Sequence, residues 1–295
     1  MLLADKSAYC QFFELQGYQV IETANTIWIN VRNNVFQPAP PFNLQPEQAS
    51  EAGQVLRRAR GLLCRWFTPV ISSDGAAQLD AHASVYLLRP PYDMGRIQSK
   101  ARNQTRRGLE RVRVNCVKFD AAVEQAAFSV YADNVGRLEL FRTPEQLKRR
   151  WTQWVNALSR SRCAEFWGAW EDDRLVAFSV VVFSPWGAEI MCQRSLASHL
   201  NHYPNNALVF NIATSVFQRG VTVLSYGLGE FESDQQGLDH FKKGMAFEEV
   251  PLREHFCWHP ALRLLNPILT AGRLRSAARL AKRCDGILRG KNHGE

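Results

Sequence analysis

The residues best able to do chemistry gather in the last third of the 295-residue chain. Glu230, Glu232 and Asp234 lie in a loop between Gly229 and Gly237. A carboxylate there is a candidate to take the proton from an attacking ammonium; the plain alternative is an acidic, solvated loop. Tyr226, at a strand end, is placed to hydrogen-bond a leaving group or to pack in the core. Lys242 stands beside Lys243 on a short helical stretch, and by type alone both are solvated cations. His202 and His240 are further possible bases, though each reads more readily as an ordinary histidine. Arg194 offers a guanidinium to a phosphate or to a neighbouring acid. Asn205 or Asn206 begins an apolar helix. The free N–H groups at Asn205, Asn206 and Ala207, with the positive end of the helix dipole, suit a diphosphate or a tRNA phosphate. An asparagine cap alone explains the same residues.

Two stretches are strongly basic. Residues 95–113 read as a helix with a thin apolar seam of Ile97, Ala101, Thr105, Leu109 and Val112. Around the seam lie Arg96, Lys100, Arg102, Arg106, Arg107, Arg111 and Arg113, against the single acid Glu110. Arg102 and Arg106 are candidates for holding an anionic acceptor or an RNA stem; a solvated bridging helix is the alternative. Residues 262–291 place Leu274, Ala277, Ala281, Cys284 and Leu288 on one stripe, accompanied by Arg273, Arg275, Arg279, Lys282, Arg283, Arg289 and Lys291. Such a helix docks on its own domain or lies on anionic lipid.

The bulk numbers set the frame for these residues. Apolar residues make up 46% of the chain and the formal net charge is +8. That is a globular composition with a preference for anionic partners. Seven cysteines without CxxC or Cys/His spacing argue against a structural metal and for reduced thiols. No signal peptide and no bilayer span is expected, so the cytosol is the expected location.

The elements that must position the candidate site follow a legible order after residue 113. Residues 114–119 read as a strand, 121–135 as a helix capped by Asp120, and 143–158 as a helix capped by Thr143 with Pro144 first. A meander follows at 165–170, 175–183 and 188–195, turning at Glu171–Arg174 and Ser184–Gly187. A helix ends at Gly220, a strand covers 222–227, a short helix 237–244 and a last strand 249–258. Earlier in the chain, 18–31 reads as two short strands turning near Asn25. The Pro-rich 36–46 reads as loop, 49–66 as helix and 83–88 as strand.

Three segments make this order specific: FWGAWEDDRLVAFSVVVFSPWGAEIMCQRS, NNALVFNIATSVFQRGVTVLSYGLGE and GLDHFKKGMAFEEV. Over about residues 95–260 the chain resembles the FemAB-like and BioF2-like acyltransferases of the GNAT-like superfamily. There a Gly-Leu-x-x-Phe-Lys segment, here Gly237 to Lys242, precedes the final strand. The resemblance implies an α/β fold: a mixed, mostly antiparallel, splayed sheet flanked by helices, in one or two GNAT-like halves. It implies a division into 1–94, a worn GNAT-like half or an unrelated cap; 95–113, a linking helix; 114–260, the acyltransferase domain; and 261–295, a basic tail. It also implies that Lys242 steadies the developing oxyanion, with Phe241 beside the substrate. Members often carry an Asp where this chain has Ser225 and Tyr226. The pyrophosphate loop of ordinary GNAT enzymes is replaced by Asn201–Asn206. The implied activity is N-acyl transfer from an acyl-CoA-type thioester to an amino group, such as that of an envelope or polysaccharide precursor. The alternatives are an aminoacyl-tRNA donor or a non-catalytic scaffold. No metal or tightly bound cofactor is implied. Expected partners are the acceptor, tRNA under the second reading, and a membrane surface for 262–291.

Overall fold

The computed structural model describes residues 5–32, 34–45, 47–70, 83–137, 143–230 and 236–260. Glu232, Asp234 and the basic tail lie outside the described residues, as does the side chain of Glu230. The described strands form one mixed sheet of eleven, in the order β1-β2-β3-β4-β11-β5-β10-β9-β8-β7-β6. The expected fold class, a mostly antiparallel sheet flanked by helices, is the one found.

From residue 113 onward the elements follow the expected order: β6 (Arg113–Val117), α4 (Ala121–Arg137), α5 (Pro144–Arg160), β7 (Ala164–Glu171), β8 (Arg174–Ser184), β9 (Gly187–Ser195), α6 (Pro204–Gln218), β10 (Leu224–Glu230), α7 (Gln236–Gly244) and β11 (Glu248–Trp258). Local rules explain much of this. The Asp120 carboxylate accepts from Val123 N at 3.0 Å and Thr143 Oγ1 from Gln146 N at 3.3 Å, each satisfying a helix-start donor. Asp172 and Asp173 turn the first hairpin, both at positive φ, which matches the twist of the flanking strands. β8 is buried along nearly its whole length because helices cover both faces. Phe178 stacks on Phe166 at 5.1 Å and meets Trp151 of α5 edge-on.

The first third departs from its sequence reading. Helix α1 (Lys6–Leu15), capped by Asp5, precedes β1 (Val20–Glu22) and β2 (Ile27–Arg32). The Pro-rich stretch read as loop from 36 begins inside β3 (Val35–Ala39). Its bonds to β4 stop at Phe36, so Pro38 lies where β3 has no β4 neighbour to receive a donor. The helix read over 49–66 is α2 (Gln48–Ala59) followed by β4 (Leu63–Pro69). Arg60 in the left-handed region and Gly61 end the helix, and Leu63 only mimicked its apolar spacing. The strand over 83–88 is β5 (Ala83–Leu88), and the basic helix is α3 (Ser99–Arg111).

β1-β2-β3, then α2, then β4 parallel to β3 repeats the order of β7-β8-β9, then α6, then β10 parallel to β9. The two runs exchange strands: β5 joins β10, and β11 joins both β4 and β5. Helices α1, α4 and α5 cover one face of the β7–β9 region, and α6 covers the other, with α3 packed on α6.

Candidate active site

β9 and β10 are paired at only two positions, Ala188 with Leu224 and Glu189 with Ser225. Beyond them both strands carry irregularities. β9 slips by a residue against β8 near Met191, and β10 slips against β5 between Ser225 and Leu228. Gly227 supplies the positive φ of 75° that this second slip uses, and its N–H bonds Ser225 Oγ at 3.0 Å. The strands therefore part, and side chains from five elements meet at the opening.

Tyr226 Oη donates to Gln193 Oε1 at 2.5 Å, across the gap. Gln193 Nε2 donates to the Asn205 carbonyl at 3.2 Å, and Asn205 Nδ2 to Ser195 Oγ at 3.2 Å. This chain of bonds ties β10 to β9 and to the first turn of α6. Burial pushes the Tyr226 hydroxyl well above its usual range, and the charge of Arg194 opposes this only in part. The hydroxyl thus stays a donor. Asn205 Oδ1 is left without a partner among the described residues.

Lys242 reaches this region from α7. It is 2% exposed. Its Nζ lies 4.2 Å from the Tyr86 ring centroid, 5.5 Å from that of Tyr226, and 3.7 Å from Asp239 Oδ1. An ammonium leaves water at a cost of several kcal/mol, offset here by two aromatic faces and a carboxylate. Burial pushes the Tyr86 hydroxyl up, and its bonds to Asp239 and Glu249 reinforce the shift. Glu249 in turn binds Lys243 at 2.6 Å. Phe241 and Phe247 stand edge-on to Tyr226 at 6.1 and 5.5 Å. Gly229 is required beneath this group: a Cβ there would stand 2.7 Å from the Tyr86 ring.

Lys242, Tyr226, Phe241 and Asn205 thus come together. Glu230 ends β10, paired through its backbone with Ala83. Arg194 lies on the opposite face, 5.9 Å from the Tyr131 ring, with Nη1 donating to the Gln193 carbonyl. Arg102 donates to the carbonyls of Gly95 and Ile97 in the turn before α3, and Arg106 is exposed. His202 pairs with Glu171 at 2.8 Å, and His240 is exposed.

The start of α6 differs from its sequence reading. The capping residue is Tyr203, in the left-handed region, with Pro204 first, rather than Asn205 or Asn206. The N–H groups of Asn206 and Ala207 both point back to the Tyr203 carbonyl. Asn206 is buried with Nδ2 on Met245 Sδ, and Ala207 is fully buried. Helix α3 crosses here: a Cβ on Gly108 would stand 2.6 Å from the Tyr203 carbonyl. Arg107 lies 5.2 Å from the Tyr203 ring, and Arg111 donates to the Asn201 carbonyl at 3.4 Å.

FemX aligns with this chain at a TM-score of 0.60, over 88% of this chain and 93% of FemX, with 10% identity. The fold is the one FemX has. The C-terminal domain of a putative lysylphosphatidylglycerol synthetase from Agrobacterium fabrum shares it, at a TM-score of 0.56 and 12% identity over 88% of this chain and 90% of that one. So does L-PGS from Bacillus licheniformis, at 0.54 and 11% over 96% and 93%. No protein-family model matches the sequence, and no curated protein does. Among the described residues no helix is long and apolar enough to cross a membrane, and no cluster of side chains suits a metal.

Three residues at the gap went unread in the sequence: Gln193, Glu189 and Tyr86. Glu189 left a usable signal, a lone acid between Ala188 and Ile190 in an otherwise apolar strand start.

Proposed function

We propose that the protein is an N-acyltransferase that moves an acyl group from an activated carboxyl donor to an amino group at the β9–β10 gap. Lys242 steadies the oxyanion that forms on the acyl carbonyl. Tyr226 acts as a hydrogen-bond donor beside it, and Glu230 is the candidate at the far end of β10. The observation that carries this reading is the buried Lys242 ammonium over Tyr86 and Tyr226, where the two parallel strands part. The fold shared with FemX supports it.

The donor is an acyl-CoA-type thioester or an aminoacyl-tRNA. The buried start of α6 favours the second, because the N–H groups of Asn206 and Ala207 already have an acceptor. Exposed Lys100, Arg106, Arg107 and Arg111 on α3 favour it too, as a surface for a phosphate backbone. The repeat of β1–β4 in β7–β10 supports taking residues 1–94 as a GNAT-like half. A scaffold without activity would keep the same buried lysine, so turnover separates the two.

The test is transfer of label from acyl-CoA thioesters and from aminoacyl-tRNAs to a primary amine. Lys242→Met should lower kcat by about 10²–10³-fold, the loss typical of one oxyanion donor, with folding intact by circular dichroism. A variant with unchanged turnover removes Lys242 from the mechanism.

A further inference from the structure

Asp239 stands one helical turn before Lys242 on α7, with Oδ1 3.7 Å from the Lys242 Nζ. The two side chains differ in access to water. Lys242 is buried, whereas the Asp239 side chain is 29% exposed. The Tyr86 hydroxyl bonds Asp239, and the Tyr86 ring lies under the Lys242 ammonium. Contacts then run on from Lys242 to Tyr226, Gln193 and Asn205. The carboxylate thus closes one end of this row, and the first turn of α6 closes the other.

Two other carboxylates near the gap suit a proton acceptor less well. Glu249 is held by Lys243 at 2.6 Å. Glu189, at the last paired position of β9, is 7% exposed, and its Oε2 has no hydrogen-bond partner among the described residues. Burial holds that carboxyl up at about 7, so it is an uncompensated acid sealed from solvent. Asp239 alone of the three lies beside Lys242 and also reaches water, to which it can pass a proton on.

The chemistry needs such a group. An alkyl primary amine reaches the site as an ammonium, whose nitrogen has no free electron pair. A like charge within about 4–6 Å disfavours the charged form, so the Lys242 cation weakens the hold of a second ammonium on its proton. A carboxylate next to that cation draws the ammonium in and accepts the proton. At 3.7 Å apart, Nζ and Oδ1 fit either side of one tetrahedral carbon, its oxygen toward Lys242 and its nitrogen toward Asp239.

We propose that Asp239 is the general base of the transfer and takes the first proton from the ammonium of the acceptor. The freed nitrogen pair forms the C–N bond, and the carbonyl pair moves onto the oxygen held by Lys242. Collapse breaks the bond to the donor's oxygen or sulfur, which leaves with the second proton of the nitrogen. Asp239 returns the first proton to water through its exposed edge. The proposal rests on reading the gap as an acyl-transfer site, and it puts the acceptor on the α7 side of Lys242.

The experiment compares n-butylamine, an ammonium at neutral pH, with methoxyamine, which is uncharged there and needs no base to free its electron pair. Label transfer from acyl-CoA thioesters and from aminoacyl-tRNAs is measured for wild type, Asp239→Asn and Asp239→Glu. Asp239→Asn should lower kcat with n-butylamine by about 10²-fold or more, the loss typical of a general base. With methoxyamine the loss should be at least tenfold smaller. Asp239→Glu keeps the charge beside Lys242 and moves the oxygens by one methylene. It should lower kcat with n-butylamine by about 10²-fold, the loss typical of a misplacement of about 1 Å, and leave methoxyamine transfer as in wild type. Where Asp239→Asn does not fold by circular dichroism, the Asp239→Glu comparison decides. Equal losses with the two amines would show that Asp239 only holds Lys242, and overturn the proposal. Unchanged butylamine transfer would place the proton acceptor elsewhere, and overturn it too. Either result leaves the transferase reading standing, whereas wild-type protein that transfers from no donor to either amine overturns that reading itself.

Discussion

Replacing Glu189 by Gln should make the protein more stable at neutral and alkaline pH, by an amount the structure allows to be worked out. Burial raises the folded-state carboxyl from 4.5 to about 7. The difference is 7 − 4.5, about 2.5 pH units, and each unit is worth about 1.36 kcal/mol. A folded-state value above the unfolded one means that the folded protein holds the proton more tightly. The stability linked to that proton is therefore fully present below about pH 4.5 and is lost as pH rises through about 7. The loss reaches about 3 kcal/mol, a large share of the 5–15 kcal/mol that a folded protein typically has. Gln keeps the shape and never ionises. The assay is urea unfolding of both proteins at intervals from pH 4.5 to 8.5. The stability difference between variant and wild type should grow by about 3 kcal/mol in favour of the variant across that range. The difference also cancels the contribution of His255, which burial lowers in both proteins. Curves that stay parallel, with a difference that does not change, would show that Glu189 is not the buried, uncompensated acid described above.

Two further substitutions test the frame around the site. Gly108→Ala replaces a poor helix former by the best one, worth about 1 kcal/mol in an open helix. Here it should destabilise by about 1–3 kcal/mol in urea unfolding, because the methyl meets the Tyr203 carbonyl and forces α3 off α6. Arg65 of β4 pairs with Glu254 of β11, their side chains 7% and 10% exposed. Arg65→Met should cost about 3–5 kcal/mol by leaving a buried carboxylate without its guanidinium, and adding Glu254→Gln should recover part of that loss.

The sequence by itself determined whatever depends on a few neighbouring residues. Asp120, and Thr143 with Pro144, fix helix starts because caps act within three or four positions. Asp172 and Asp173 fix a hairpin because a two-residue turn needs positive φ at both. The order of elements from 113 to 258 was legible for the same reason, and so was a cluster around Lys242, through the Gly237–Lys242 segment. What lies far apart in the chain was decided only by the tertiary structure. β3 is a strand despite Pro38 because β2 pairs with it, and β11 runs between β4 and β5 with no local mark of either partner. The environment of Lys242 comes from Tyr86, more than 150 residues earlier in the chain. Burial, which sets the protonation of Glu189, is a property of packing that no single segment carries. Local rules govern dihedral angles and hydrogen bonds within a turn or two. Removing a charged group from water takes atoms from the whole chain.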